Sequence, residues 1–131
     1  MTSESKAHTP GFYNHMFMVP KSTTKHIIDH SILNTYIITT KFKMEMITTV
    51  MFAIHQNNWT VLLNLEDFYL QVPIHQESQC FLHFTWKSID SQFQVLCFSL
   101  SIAPHIFTYL MAPVSIKFHR QGFRILHYLD D

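Results

Sequence analysis

The last four residues of the chain are Tyr-Leu-Asp-Asp, so that Asp130 and Asp131 stand side by side behind an aromatic residue and a leucine. A carboxylate pair on a tight turn can hold a divalent cation, because Mg²⁺ prefers oxygen ligands. Taken alone, the pair is also compatible with a solvated acidic C-terminus. A second polar group, Asn64, Glu66 and Asp67, follows a short apolar run. The carboxylate pair therefore indicates a candidate site for a divalent cation at Asp130 and Asp131.

The strands that must position these residues can be predicted from hydrophobic patterning. "TVLLNL" (60–65) is a short apolar run typical of a buried strand. "FRILHYL" (123–129) is predicted to be a strand that runs directly into Asp130. Residues 80–86 and 93–100 are predicted to be two strands joined by the loop "KSIDSQ". The sequence thus predicts that the polar groups lie at strand ends.

Two helices are predicted from apolar residues spaced three and four positions apart. One lies within residues 40–58. The other begins near Ser101, a candidate cap, carries Pro104 in its first turn and ends at Gly122. Its apolar stripe, which we interpret as core, comprises Ala103, Ile106, Phe107, Leu110, Met111, Val114 and Phe118.

The N-terminal part of the chain carries weaker signals. Residues 1–15 are predicted to be a loose polar lead-in, and residues 17–21 and 25–37 to be short strands around a polar turn. After residue 59 the order of elements is strand, strand, helix, strand. This order predicts an α+β domain with an antiparallel sheet and packed helices.

Composition limits the classes of function. At 131 residues the chain is long enough for one domain, and its formal net charge is zero. A protein that grips a phosphate backbone usually has a basic balance, so tight nucleic-acid binding is not expected. Cys80 and Cys97 have no disulfide-framework spacing, and the N-terminus carries no signal-peptide pattern, so we expect reduced thiols in an intracellular protein, cytoplasmic or nuclear. The uncharged stretch 91–116 is long enough to span a bilayer, but its prolines and amphipathic pattern argue against it.

Four segments in order resemble the fingers and palm of a reverse transcriptase, closest to those of vertebrate retrotransposons. "GFYNHMFMVPK…IIDHSILN" resembles the fingers, "TVLLNLEDFYLQVPIH" the first palm motif, "FQVLCFSLSIAPHIFTYLMAPV" the second, and "YLDD" the third. The resemblance implies a partial reverse-transcriptase domain over residues 16–131, with fingers at about 16–58 and palm at about 59–131. It also implies that the palm is truncated after the Tyr-Leu-Asp-Asp turn, without the elements that grip the duplex.

The resemblance implies RNA-directed DNA polymerisation with Mg²⁺ as the cofactor and with an RNA or DNA template-primer and a dNTP as partners. In the family, metal ions activate the primer hydroxyl and stabilise the leaving pyrophosphate. Asp130 and Asp131 then match catalytic metal ligands, and Asn64 matches a third catalytic position. The positions that match nucleotide-binding residues are Lys25, Asp67, Phe68, Tyr69 and Phe98.

Several residues depart from the family pattern. Asn64 stands where the family has a metal-ligand aspartate, and a neutral amide is a poor substitute for a carboxylate beside two cations. Phe68 replaces a small residue, and Ser99 replaces a glycine. We therefore expect a catalytically inactive derivative of a reverse transcriptase. The alternatives are a non-catalytic remnant that binds nucleic acid or protein, and a small membrane-associated protein that uses residues 91–116.

Overall fold

The computed structural model describes residues 2–5, 10–19 and 25–129. The chain divides into two compact units. The first unit comprises Met1–Thr39 and Asp67–Ala103, and the second comprises Thr40–Glu66 and Pro104–Asp131. Both units are built from two separate stretches of the sequence, so neither corresponds to a simple N-terminal or C-terminal half.

The first unit contains a mixed sheet, which has five strands within the described residues. The strands are β1 (Thr2–Ser5), β2 (Tyr13–Val19), β3 (Lys25–Asp29), β4 (His83–Trp86) and β5 (Ile89–Phe93). Their order across the sheet is β1-β5-β4-β2-β3. Residues 2–5 were expected to belong to a loose lead-in, and they instead pair with β5.

One pairing in this sheet is parallel. Tyr13 and Asn14 of β2 are in register with His83 and Phe84 of β4, and the two strands run in the same direction. The other three pairs are antiparallel. The expectation of an α+β fold with an antiparallel sheet is confirmed, and this one parallel pair makes the sheet mixed. The cause is the long crossover between β2 and β4, which returns the chain in the same direction.

A hairpin, β4–β5, forms near the predicted place, but its turn is tighter than expected and the predicted second strand 93–100 is wrong beyond Phe93. Trp86 is paired with Ile89, so only Lys87 and Ser88 form the loop. Both have positive φ, 49° and 63°. This geometry matches the two-residue hairpin turn whose backbone twist fits the right-handed twist of the two strands. The second strand therefore begins inside the predicted loop.

Four helices and a 3₁₀ helix lie in the described part of the chain. They are α1 (Ser31–Tyr36), α2 (Ile47–Ala53), α3 (Gln76–Gln79), α4 (Ala103–Arg120) and the 3₁₀ helix Phe68–Gln71. The predicted strand 25–37 is thus wrong after residue 29. The Asp29 carboxylate accepts a hydrogen bond from the Ser31 amide at 2.8 Å, which starts α1 immediately after β3. Short polar side chains favour such helix starts over continued strands.

Helix α4 agrees with its prediction. Pro104 lies in the first turn, where a missing N–H leaves no hydrogen bond unmade. The helix ends at Arg120, and Gly122 follows with φ 86°. Of its apolar stripe, Ala103 and Phe107 are buried, whereas Leu110, Val114 and Phe118 are more than a third exposed. The prediction that the whole stripe is core is therefore wrong for its second half.

The core of the first unit is formed where β4, the segment after β5 and the β3–α1 junction meet. The buried apolar residues of this unit are Ile28, Leu33, Leu82, Phe84, Val95, Leu96, Cys97, Leu100 and Ala103. Three polar side chains are buried with them: Asn14, His30 and His83. The Asn14 amide donates to the carbonyls of Phe81 and His83 at 2.9 and 3.2 Å, which fixes the parallel strand pair.

In the second unit, the predicted strand 60–65 is absent. Residues 58–65 belong to no helix or strand, and their apolar side chains are exposed. Helix α2 is confirmed at Ile47–Ala53, shorter than the predicted 40–58. It also buries no side chain.

The predicted strand 123–129 is also absent, and two of its backbone amides donate to side chains instead. The Ile125 amide donates to Nε2 of His119 at 3.3 Å, and the His127 amide donates to the Glu45 carboxylate at 3.2 Å. The Ser115 hydroxyl lies 3.3 Å from Nδ1 of His127. These two amides are therefore not available to pair with a neighbouring strand.

Within the described residues, no helix is both long enough and apolar enough to cross a membrane. Residues 91–116 are divided among the end of β5, a connecting segment and the first part of α4. They do not form the single continuous helix that the membrane alternative requires.

Candidate functional site

The predicted metal ligands cannot be placed. Asp130 and Asp131 lie outside the described residues, and so does the side chain of Lys25. The backbone of Lys25 begins β3, where it pairs with Val19 of β2. The roles of these three residues, and the division into fingers and palm, stay predictions.

Asn64 lies in the second unit, in the exposed segment that was predicted to be a strand. Its side chain makes no hydrogen bond to any other described residue. Glu66 is also exposed. No group of three histidine, cysteine or acidic side chains is arranged to hold a metal ion in the described ranges. The Mg²⁺ site predicted at Asp130 and Asp131 stays a prediction.

The predicted nucleotide-binding residues Asp67, Phe68 and Tyr69 lie together at the start of the first unit's second stretch. Asp67 is exposed and has a left-handed backbone with φ 50°, and its carbonyl accepts from the Leu70 amide at 3.0 Å. This turn starts the 3₁₀ helix. The Phe68 and Tyr69 rings pack edge to face, with centroids 5.8 Å apart. Burial raises the pKa of the Tyr69 hydroxyl.

Phe98, the remaining predicted nucleotide-binding residue, lines a cavity of about 130 Å³ in the first unit. The wall of this cavity is mostly apolar and is formed by Met16, Ile28, His30, Leu70, Phe93, Cys97, Phe98 and Ser99. Leu70 belongs to the same 3₁₀ helix as Phe68 and Tyr69. The structure thus brings one predicted residue, Phe98, and the helix of two others to one cavity.

His30 is the polar group of this cavity that sequence reasoning missed. It is 1 % exposed, and its Nδ1 lies 2.5 Å from Oγ of Ser99. Its Nε2 is buried and has no hydrogen-bond partner among the described residues. Burial lowers the pKa of the imidazole, and the nearby Asp29 carboxylate opposes this shift. His30 is therefore neutral near pH 7, and its tautomer depends on whether Ser99 donates or accepts.

Asn34 closes the same junction from helix α1. Its side-chain amide donates to the Ser99 carbonyl at 3.0 Å, and its carbonyl oxygen accepts from the Ser101 amide at 2.8 Å. His30, Asn34 and Ser99 thus join the β3–α1 junction to the segment before α4. The spacing of His30 and Asn34 along one helical turn could have indicated a shared face, but only if α1 had been predicted.

The residues around the cavity can bind a ligand, but few of their side chains can take part in a reaction. Cys97 is buried, and burial raises the pKa of its thiol to about 12, so it is a poor nucleophile. Neither cysteine is in a disulfide: Cys97 is buried and Cys80 is half-buried. With a neutral His30 and an unionised Cys97, the cavity is an apolar pocket with one hydrogen-bonding wall.

No protein-family model matches this sequence, and no curated protein is similar to it at a significant level. Among solved structures, it is similar to the crystal structure of the native protease-reverse transcriptase of prototype foamy virus, with a TM-score of 0.76 and 18 % sequence identity. The match covers 98 % of this chain and 17 % of the viral chain. At this identity the similarity concerns the fold. The chain therefore has a reverse-transcriptase-like α+β fold, and it corresponds to about a sixth of the viral protein's length.

Proposed function

We propose that this chain derives from the fingers and palm of a retrotransposon reverse transcriptase and does not itself polymerise DNA. The observation that carries the derivation is the fold similarity over nearly the whole chain to a reverse transcriptase of a foamy virus. The order of the four sequence motifs supports the same derivation independently of the fold. RNA-directed DNA polymerisation is then the ancestral activity.

Asn64 supports the loss of activity. An amide cannot supply the negative charge that a pair of divalent cations requires, and removing a principal electrostatic group typically reduces a rate by about 10²–10³-fold. Asp130 and Asp131 would supply the remaining carboxylates if Mg²⁺ binds. The exposed segment around Asn64 adds a second defect, because a ligand on a segment without a strand partner is poorly positioned.

A primer-extension assay tests this proposal. The purified chain is incubated with a primed RNA template, dNTPs and either Mg²⁺ or Mn²⁺, beside an Asp130→Ala variant. We expect no templated product above that of the variant. We also expect Asn64→Asp alone to remain inactive, because restoring one carboxylate does not restore the strand that would hold it. Templated synthesis by the unmodified chain that disappears in Asp130→Ala would refute the proposal.

A second candidate function is a non-catalytic protein-interaction module, which the exposed apolar residues of the second unit favour. Met51 and Phe52 of α2 and Trp59 beyond it are all more than 60 % exposed. Several large apolar side chains exposed close together in the sequence are a sign of a protein contact. The zero net charge does not favour nucleic acid as the partner. A gel-shift titration with RNA and DNA at low salt should show no retardation, and a salt-dependent shift would remove this candidate in favour of nucleic-acid binding.

A further inference from the structure

The segment 59–65, Trp-Thr-Val-Leu-Leu-Asn-Leu, is the most exposed apolar stretch of the described chain. Trp59 is fully exposed, and Val61, Leu62 and Leu63 are 84 %, 83 % and 79 % exposed. Isolated apolar residues at a surface are ordinary, but a run of this length is a sign of a contact surface.

The backbone of this segment is as free as its side chains. Residues 59–66 make no hydrogen bond to any other residue that the structure describes. The nearest backbone bonds lie on either side: the Asn58 amide donates to the His55 carbonyl, and the Leu70 amide donates to the Asp67 carbonyl. Unpaired N–H and C=O groups beside apolar side chains are what an added β-strand needs.

The sequence of the segment has the alternation of an amphipathic strand. In an extended conformation, successive side chains point to opposite faces. One face would carry Trp59, Val61, Leu63 and Leu65, and the other Thr60, Leu62 and Asn64. The first face is wholly apolar, and the second mixes one leucine with two polar residues.

We propose that residues 59–65 form an antiparallel strand pair with the same segment of a second copy of this chain, centred on Leu62. In this register Leu62 faces Leu62, Val61 faces Leu63, Trp59 faces Leu65, and Thr60 faces Asn64. Apolar residues therefore face apolar residues, and polar residues face polar residues. The apolar faces of the two strands lie side by side and form one apolar face. The chain supplies both halves of the contact, because a two-fold interface uses the same surface twice.

The charges at the end of the segment select the antiparallel direction. In a parallel, in-register pair, Glu66 would lie beside Glu66 and Asp67 beside Asp67, and like charges placed opposite one another destabilise a sheet. In the antiparallel register centred on Leu62, the two acidic residues fall opposite Asn58 and Asn57, which are neutral. The segment between them carries no charge that would oppose the pairing.

This inference rests on the interaction candidate above and names its partner. Polymerase activity does not bear on it. The two ideas also fail separately, because a nucleic-acid gel shift would remove the interaction candidate, whereas a monomeric chain would remove only the pairing with a second copy.

Light scattering of the purified full chain coupled to size-exclusion chromatography is the first test. We expect the mass of two chains, or of four when two paired ribbons pack their apolar faces together. Leu62→Lys should give a monomer, because it places two like charges opposite each other at the two-fold axis. Tyr109→Lys is the matched control: Tyr109 is 75 % exposed in the same unit but outside the segment, and its variant should keep the mass of the unmodified chain. A monomer for the unmodified chain at micromolar concentration overturns the proposal.

Cysteine cross-linking tests the register. In a Cys80→Ser background, Leu62→Cys places the two new thiols directly opposite, within about 5 Å between Cβ atoms, so a disulfide should form readily. Leu63→Cys places its thiols diagonally, about 7–8 Å apart, and should cross-link several-fold more slowly. The native Cys97 is buried with its pKa raised to about 12 and should not interfere.

The comparison of the two cysteine variants decides between the directions of pairing. Equal cross-linking at positions 62 and 63 indicates a parallel, in-register stack and overturns the antiparallel register. Absence of cross-linking at both positions overturns the pairing itself. Circular dichroism of each variant, matched to that of the unmodified chain, ensures that a loss of cross-linking reflects the contact and not unfolding.

Discussion

The Nδ1 atom of His30 lies 2.5 Å from Oγ of Ser99, although the two residues are 69 positions apart in the chain. This bond connects the end of β3 to the segment that leads into α4. Because it is buried beside an apolar cavity, it makes the first unit sensitive to the charge of one imidazole. The Asp29 carboxylate opposes the lowering of the His30 pKa, and the Cys97 thiol that lines the same cavity is uncharged at neutral pH.

Lower pH should destabilise the folded chain through His30. Burial lowers the pKa of His30 below its usual value of 6.5, so the unfolded chain binds a proton more readily than the folded chain. Stability is therefore complete above pH 6.5 and decreases as the pH falls through that value towards the folded pKa. The loss is at most about 1.4 kcal/mol per pH unit. Urea unfolding over this pH range measures it.

Two variants assign this pH dependence. His30→Phe should flatten the decrease, because phenylalanine does not titrate. His55→Gln, which changes an exposed histidine, should leave the decrease as it is in the unmodified chain. An unchanged slope in His30→Phe would show that another histidine is responsible.

Asn34→Ala should destabilise the chain by about 1–3 kcal/mol, because it leaves the Ser99 carbonyl and the Ser101 amide without their side-chain partner. Thr35→Ala is a suitable control on the same helix. Thr35 is exposed and its hydroxyl contacts only the local Ile32 carbonyl, so its removal should change stability by less than about 0.5 kcal/mol. Equal effects of the two substitutions in urea unfolding would contradict the role assigned to Asn34.

Gly11→Ala should be more harmful than Gly122→Ala. A Cβ atom on Gly11 would lie 2.7 Å from the Cys80 carbonyl oxygen, which is backbone and cannot easily move. We expect a loss of about 2–3 kcal/mol from this overpacking. A Cβ on Gly122 meets no described atom within 4 Å, and the loss there, about 1 kcal/mol, comes from its positive φ of 86°. Thermal or urea unfolding ranks the stabilities of the two variants. The reverse order would show that the backbone near Cys80 moves to make room for the added Cβ atom.

Ser88→Gly should stabilise the chain by about 0.5–1 kcal/mol, because glycine adopts the positive φ of 63° at this position without strain. Ser78→Gly in α3 is the opposite control. There glycine enters a helix, so the same substitution should lower stability by a similar amount. A fall in stability for Ser88→Gly would mean that serine is not strained at this position of the turn.

The sequence predicted the elements whose signals are local. The 3.6-residue period, Pro104 and Gly122 located α4. The segment KSIDSQ between two apolar runs indicated a hairpin, but its second strand lies at Ile89–Phe93 and not at 93–100. What failed were the strands 60–65 and 123–129, because a strand exists only with a partner and the pattern of one segment does not reveal whether a partner is available. In segment 123–129, the side chains of Glu45 and His119 accept hydrogen bonds from backbone amides. Hydrophobic periodicity carries no information about such contacts.

Some of the residues that were predicted to bind nucleotide lie at or near the cavity of the first unit, and their role stays a prediction. Phe98 lines the cavity of the first unit, and Phe68 and Tyr69 begin the helix that contributes Leu70 to it. His30 and Asn34 were missed, because their partners Ser99 and Ser101 are more than sixty residues away and only the folded chain brings them together. Asp130 and Asp131, the residues that first suggested chemistry, stay predictions.

The position of β1 in the sheet has a consequence for how the chain is made. Ser5 pairs with Asp90, so β1 is synthesised 85 residues before its partner strand. At typical rates of synthesis this interval is roughly 4 to 17 s, long compared with the microseconds in which a hairpin such as β4–β5 closes. During that time β1 is an unpaired edge that other nascent chains can meet first. Production at low temperature or with a holdase chaperone should therefore raise the yield of the folded protein more than any change to its stability.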